Sequence, residues 1–501
     1  MRNFSTARVA FIAILAGWLL AGCAVGPNFK RPAAPAGGDY TAQPLPDTAV
    51  ATNVVGGAGQ RFVKGSDIAG DWWTLFHSQP LNDLIELSLT NNPDLKAAQA
   101  ALSVARENVL AQRGAFFPSA TAGFAASRQK ASELLAPVPN YPVTPQEFQF
   151  NLFTPQVSVS YSPDVFGANR RSMESLKAQE QGVRFQMIAT YTTLTANVVV
   201  TAIQEAAVRM QIDATRQLIE LNSNMVEILR YQFAKGYAGR LDLVAQESQL
   251  AQVIATLPPL LKQEAQLRDL LAVLAGRFPN QAPAAKFDLA SLQLPQEIPV
   301  SLPSQLVAQR PDVLQAEANL HAASAQIGIA IANRLPDITL TANAGSTALS
   351  IDKVFTSGTG FWGLGAAATA PLFQGGTLLH QERAAKAAYL QAAEQYRSTV
   401  LTAFENVADT LAALLQDAEG LKAAATAADD AQITLDLSQR QWQDGYISYL
   451  ALLSAEQAYQ QTRINLVQAQ AGRYADTAAL FQALGGGWWQ RADLNKDKHD
   501  K

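Results

Sequence analysis

The chain states one pattern twice. Residues 92–118, NPDLKAAQAALSVARENVLAQRGAFFP, align without a gap on residues 310–336, RPDVLQAEANLHAASAQIGIAIANRLP. Pro93 and Asp94 fall on Pro311 and Asp312, Leu102 on Leu320, and Pro118 on Pro336. The echo resumes where FAKGYAGRLDLVAQES (233–248) lies over WQDGYISYLALLSAEQ (442–457). There Gly236, Tyr237, Leu241, Leu243 and Glu247 meet Gly445, Tyr446, Leu450, Leu452 and Glu456. A period of roughly 210 residues is far longer than the ~20–50 of solenoid arrays. It implies duplication of a whole fold unit, with both halves building one body. Proline and glycine positions recur as well as alanine and leucine, which chance likeness between Ala-rich helices does not explain.

Two kinds of periodicity divide each half. In Ile338-Thr339-Leu340-Thr341-Ala342-Asn343-Ala344 and in Gln156-Val157-Ser158-Val159-Ser160-Tyr161, apolar and polar residues alternate with period two, the mark of a half-buried strand. Residues 119–129 and 361–370 are weaker versions rich in Gly and Ala. Each half therefore offers two strands, at about 119–129 and 153–162 and at about 337–347 and 361–370, with the Pro-rich stretch 136–145 as the loop of the first pair. Such alternation suits a sheet on a soluble core, or a barrel strand of ~9–11 residues facing lipid on one side and a lumen on the other. Four strands cannot close a bacterial barrel, which takes about eight or more. If these strands cross a membrane, several chains share one barrel.

The rest reads as helix. A short helix over 81–92 and a second from Pro93 to about Ala115 precede the first strand, Pro being tolerated in a first helical turn. No proline stands between Pro163 and Pro258, and none follows Pro371. Long helices are expected at about 168–234, 241–276, 377–443 and 448–484. The first, at 1.5 Å per residue, would run roughly 100 Å. Helices of this length hold only when packed side by side. The breaks at Gly236 and Gly445 read as hairpin turns at one far end, with the strands at the other.

The N-terminus carries an address. Arg2 and Arg8 precede an apolar run from Val9 to Leu20, which ends in LAGC. This is a secretory signal over residues 1–22, too short at ~12 apolar residues to span a bilayer as a helix. Small residues before Cys23, the only cysteine, resemble a lipobox. Cleavage would leave Cys23 acylated, and several acyl chains at about 0.8 kcal/mol per buried methylene make a firm anchor. Ala24, rather than Asp, favours the outer membrane. Residues 23–70, rich in Pro, Gly, Ala and Thr, read as a lipidated, extended tether that DWWTLF (71–76) docks onto the body.

Together these features resemble the outer-membrane factors of tripartite efflux systems, the TolC-like channels, and within them the NodT and OprM type lipoproteins. CAVGPNFKRP (23–32), DWWTLFHSQPLNDLIELSLTNNPDLKAAQAAL (71–102), PDVFG (163–167), APLFQGG (370–376), RLDLVAQE (240–247), YLALLSAEQ (449–457) and FQALGGGW (481–488) carry the likeness. It makes residues 71–290 and 291–487 two outer-membrane factor repeats, with 488–501 a C-terminal tail. The resemblance implies a homotrimer in which three sets of four strands close a twelve-stranded β-barrel in the outer membrane. Twelve long helices would continue it as an α-barrel across the periplasm. It further implies a passive conduit for small molecules, energised by a proton-driven inner-membrane pump through a periplasmic adaptor that grips the hairpin tips. On that reading Gly236, Tyr237, Leu241, Asp242, Gly445, Tyr446, Leu450 and Ser454 form the adaptor contact and gate. The bland alternative there is that glycine ends a helix and leucine fills a seam. Relatives often carry an acidic residue where this chain has Ser454, which puts a cation-attracting ring at that level in doubt; Asp242 is retained.

No cofactor is expected beyond the covalent lipid on Cys23, and no enzymatic activity. GTGFWG (358–363) fits a dinucleotide fingerprint only by its letters, since no helix pattern follows. His77, His321, His380 and His499 are scattered and make no metal set. Net charge is −4 with 16% charged residues, so nothing calls for nucleic acid, and the helix charges read as solvated faces. Two other readings stand beside the efflux conduit. One is the outer-membrane conduit of a type I protein secretion system. The other is a structural envelope lipoprotein with no lumen, which leaves the alternating strands unexplained.

Overall fold

A computed structural model describes residues 24–33, 39–131, 148–282 and 285–494. The signal sequence, Cys23, the Pro-rich loop 136–145, His499 and the end of the C-terminal tail lie outside the described residues. The chain forms two compact units, each drawing on both repeats. One takes the chain up to Arg31, Ser103–Gln181 and Ala318–Glu394; the other takes Pro32–Leu102, Gly182–Glu317 and everything from Gln395 onward.

The first unit is built on a four-stranded antiparallel sheet of β2 (Ser119–Ala131), β3 (Phe148–Tyr161), β5 (Asp337–Ser346) and β6 (Gly360–Thr369), in the order β2-β3-β5-β6. The two hairpins, β2 with β3 and β5 with β6, are repeat counterparts: Ser119 faces Ser160 in one, and Asp337 faces Thr369 in the other. β3 and β5 join them through six residue pairs, Gln156↔Gly345 to Tyr161↔Leu340. After β3 the chain turns through Gly167 at φ +81° into a long helix, α3 (Ala168–Ala234); after β6 it turns through Gly376 at φ +87° into its counterpart α7 (Thr377–Gln443). Asp164 of PDVFG seats the first turn of α3. Its carboxylate accepts from the backbone N–H of Asn169 and Arg170, both at 2.9 Å, where the helix end has unpaired donors and a positive dipole.

The second unit packs helices. α1 (Gln79–Asn91) and α2 (Pro93–Arg113) follow Trp72–Phe76, while α5 (Pro303–Gln309) and α6 (Pro311–Ala332) occupy the corresponding place in the second repeat. Of these, α2 and α6 each pass from one unit into the other. Asn92 joins α1 to α2 by accepting from the N–H of Asp94 and Leu95. Within this unit the two hairpins, α3 with α4 (Arg240–Leu274) and α7 with α8 (Tyr449–Ala483), share an apolar seam of Met225, Val226, Leu229, Leu243, Leu435, Tyr449 and Leu452. Helix α4 runs on through Pro258 and Pro259.

The tandem tryptophans are core. Trp72 and Trp73 are buried, and Trp72 stacks on Phe481 of α8 at 5.2 Å. The stretch read as an extended tether is not free in this unit. Ala51 and Ile68 are buried, and β1 (Arg61–Lys64) pairs in parallel with β4 (Glu297–Val300), an element the sequence pattern did not announce. Arg473 of α8, fully buried, donates to the carbonyls of Gly56 and Ala58 and to the Thr48 hydroxyl. The GGG of the C-terminal signature is equally specific. Gly485, Gly486 and Gly487 all have positive φ, and a Cβ on Gly487 would stand 2.2 Å from the Ala69 carbonyl.

Candidate functional site

The sheet of the first unit has two unlike faces. On one, β2 presents Ala120, Ala122, Phe124 and Ala126; β3 presents Phe153, Pro155, Val157, Val159 and Tyr161. Beside them stand Ile338, Leu340, Ala342 and Ala344 of β5, and Trp362, Leu364, Ala366 and Ala368 of β6. The other face carries Thr121, Ser127, Thr154, Gln156, Ser158, Ser160, Thr339, Thr341, Asn343 and Thr369. The apolar face is not a core: Trp362 and Leu364 are each 77% exposed, and Phe124 and Val157 at least half. Its band ends sharply, since Arg128 and Asn151 follow Ala126 and Phe153. Among the described residues, β2 and β6 each have one strand neighbour, leaving two open edges. GTGFWG enters β6 rather than opening a helix.

The two hairpin turns are near copies. Gly236 and Gly445 sit at φ +78° and +76°, where a side chain is strained. Tyr237 N–H bonds back to Gln232 O, and Tyr446 N–H to Gln441 O, both at 2.8 Å, closing the helix ends as a Schellman motif does. Tyr237 and Tyr446 are 83% and 80% exposed. Asp242 reaches back to the Gly239 N–H at 3.3 Å, capping α4, while Ser448 accepts from Ala451 N–H at 3.4 Å to cap α8. Leu241 and Leu450 point outward; Leu243 and Leu452 fill the seam in their place. Ser454 is exposed and returns its hydroxyl to Leu450 O at 3.0 Å. The structure thus gathers Gly236, Tyr237, Leu241 and Asp242 in one turn, and Gly445, Tyr446, Leu450 and Ser454 in and just after the other.

Reading the helix charges as solvated faces fails at several positions. Arg171, Glu205, Glu456 and Arg473 are buried. Glu205 accepts from Phe287 N–H, and desolvation pushes its pKa up against the pull of Arg209. Glu456 lies in the hairpin seam at 2% exposure, and neither carboxylate oxygen has a hydrogen-bond partner in good geometry. Burial pushes its pKa up to about 7, a shift the neighbouring Gln246 amide only partly offsets. Around it Tyr449 of α8 bonds Gln246 of α4, Gln246 donates to Asn222 at 2.9 Å, and Gln457 donates to Gln249 at 2.8 Å. One hint of this cluster is legible in the sequence, the recurrence of Glu247 as Glu456, but no residue pattern there shows that the two differ in burial.

The first unit also leaves helix surface bare in one repeat that it covers in the other. Ala322, Ala325 and Gly328 of α6 are buried, whereas their counterparts Val104, Glu107 and Leu110 on α2 are exposed. Phe166, after β3, is partly buried; Leu372 and Phe373, after β6, are 96% and 89% exposed.

Comparison with known proteins places this architecture. Residues 84–277 and 302–486 match the family model described as outer membrane efflux protein. The probable efflux pump outer membrane protein SepC of Pseudomonas putida is 30% identical over 491 residues, covering 95% of this chain and 97% of its own length. The pyoverdine export outer membrane protein OpmQ of Pseudomonas aeruginosa is 30% identical over 427 residues, 84% of this chain and 88% of its own. Among solved structures, the outer-membrane channel OprN superposes with a TM-score of 0.83 at 25% identity, covering 93% of this chain and all of its own. The CmeC outer membrane channel of Campylobacter jejuni shares the fold, with a TM-score of 0.82 at 21% identity over 95% of this chain and 98% of its own. A duplicated chain with two strand hairpins, two 67-residue helices and matching glycine turns is therefore a member of the outer membrane efflux protein family.

Proposed function

We propose that this chain is the outer-membrane conduit of a tripartite efflux system, and that three copies close one twelve-stranded barrel. The observation that carries the reading is the four-stranded sheet with an exposed apolar face, a polar face opposite and two open edges. Backbone groups left unpaired in lipid cost several kcal/mol each, so the edges must find partners there. Ten-residue β5, at ~3.4 Å per residue and tilted by ~40°, rises roughly 25 Å, the height of the apolar band of an outer-membrane barrel.

The internal junction supplies the rule for the external one. β5 and β2 are repeat counterparts, as are β3 and β6, so β6 of one copy meets β2 of the next as β3 meets β5. Carrying the register across sets Ala366 opposite Ala126 and Ala368 opposite Phe124 of the neighbour, apolar face to apolar face. Such a head-to-tail contact builds a ring. The same repetition covers the bare face of α2 and the exposed Leu372 and Phe373. The polar face then lines a lumen dominated by hydroxyl and amide groups, and the long helices continue the passage across the periplasm.

Acyl groups on Cys23 add a second hold on the outer membrane. A periplasmic adaptor engages the turns, where Tyr237, Leu241, Tyr446 and Leu450 are bare, and a proton-driven inner-membrane pump supplies the energy. Relatives bear the names of toluene and pyoverdine export; a lumen face of hydroxyls and amides, with Asp337 as a charge at the start of β5, fits small-molecule cargo chosen by the pump. Purified oligomer added to planar bilayers is expected to give stepwise conductance. A water-soluble monomer that opens no pores would sink the reading.

A further inference from the structure

The residues that follow Cys23 are clasped rather than loosely attached. Arg171, on the first turn of α3, is 3% exposed. Its guanidinium donates to Val25 O at 3.0 Å, Gly26 O at 3.1 Å and Asn28 Oδ1 at 2.9 Å, with Ala24 O at 3.5 Å. It is held on the other side by Glu174 at 2.7 Å. The second Glu174 oxygen is 3.0 Å from His321 Nε2, and the His321 ring lies flat on Phe29, centroids 4.3 Å apart and planes within 12°. The strap bonds to the body as well, Val25 N–H donating to Phe166 O at 3.1 Å. Two glycines make room. A Cβ on Gly26, at φ +93°, would stand 2.5 Å from the Gly328 Cα, and one on Gly328 would stand 2.8 Å from Arg171 Cγ.

The duplication contains its own control. At the counterpart positions of the other repeat, Arg171 becomes His380, Glu174 becomes Arg383, His321 becomes Ser103 and Gly328 becomes Leu110. None of the four is kept where there is no N-terminus to hold. A planar fork reading several carbonyls at once is what arginine supplies and neither histidine nor lysine does.

We propose that Arg171, Glu174, His321 and Gly328 form a receptor for the chain's own processed N-terminus, fixing the residue that bears the lipid beside the turn from β3 into α3. The part concerning lipid rests on the acylation of Cys23 advanced above. Cys23 directly precedes Ala24 in the chain, so an acyl group on it would be attached one residue from the clasp. Tyr161, the last residue of β3, is only a few positions before Gly167, against which Ala24 packs. The lipid anchor and the foot of the barrel wall are thereby held in register.

A nitroxide on Lys30→Cys tests this in the full-length membrane protein, because Lys30 is exposed and lies just outside the clasp. The label is expected to be immobilised in the parent, and its rotational correlation time to fall at least threefold in Arg171→Ala and in Arg171→Lys. Gly26→Val attacks the clasp from the strap side should the arginine variants fold poorly, and Leu110→Gly at the duplicate position is expected to leave the label as immobile as in the parent. Equal mobility in the parent, Arg171→Lys and Gly26→Val would overturn the clasp. The mass of the N-terminal peptide reports acylation separately: an unmodified Cys23 with an immobile label would refute the anchor and spare the clasp.

Discussion

Glu247 and Glu456 hold the same place in the two repeats and live in opposite surroundings. Glu247 faces solvent on α4 and pairs with Arg230 at 3.0 Å; Glu456 is sealed in the seam between the hairpins with no cation beside it. Helix lengths, turn glycines and strand hairpins are duplicated almost residue for residue, so differences between the halves stand out against a matched background. They fall into two classes. Some are surfaces covered in one half and bare in the other, such as Ala322 against Val104, which a second copy would equalise. Others, such as Glu456 and the Arg171 clasp, are chemical changes that no neighbour repairs. The first class points to assembly, and the second to tasks given to one half alone.

The largest effect is expected from the covered and bare counterparts. Val104→Asp puts a charge on an exposed face and should leave the monomer's melting temperature nearly unchanged while abolishing the assembled species in sedimentation. Ala322→Asp buries the same charge inside the chain and should cost the monomer about 3 kcal/mol. Equal effects of the two on the monomer would remove the distinction between the classes.

Next comes the carboxylate pair, through pH. The folded-state pKa of Glu456 is raised to about 7 from an ordinary 4.5. Its contribution to the seam is therefore complete below pH ~4.5 and is lost as pH rises through ~7, on the order of 3 kcal/mol in all. Among the described residues no cation acts on it; burial first, then Glu456 itself and Asp242 of α4, raise the pKa of the neighbouring Tyr449. Glu456→Gln should remove this pH dependence and stabilise the hairpins at pH 8 in urea titrations. Glu247→Gln, at an exposed ion pair, should shift stability by no more than ~0.5 kcal/mol.

The smallest effect is a test of sameness. Gly236→Ala and Gly445→Ala each force a Cβ into positive φ with nothing nearby to clash. Each should cost about 1 kcal/mol, and by the same amount. A clear inequality in thermal melts would show that the turns are not equivalent despite their geometry.

What could be read in advance follows a physical line. The long helices were legible because a proline-free, apolar-periodic run has few other folds open to it, and Gly236 and Gly445 mark where it must turn. The strands were legible from strict alternation, as over Ile338–Ala344, although β3 begins at Phe148 rather than near 153, beyond the reach of the Val–Ser pattern. The parallel pairing of Arg61–Lys64 with Glu297–Val300 was not, because four-residue strands carry too little pattern. Nor were the buried charges. Arg171 and Arg473 donate to main-chain carbonyls of Val25 and Gly56, far off in sequence, and a carbonyl carries no residue-type signal. At the turns, the residue types named the place but not which leucine faced outward.

The shared barrel is tested most directly at the proposed seam between copies. Ala366→Cys and Ala126→Cys, combined in one chain that also carries Cys23→Ser, should be joined by a short thiol crosslinker into covalent dimers and trimers in the membrane. Ala366→Cys paired with Ala120→Cys, out of register by six residues, should not crosslink. Monomers from the first pair, or equal crosslinking from both, would contradict the account.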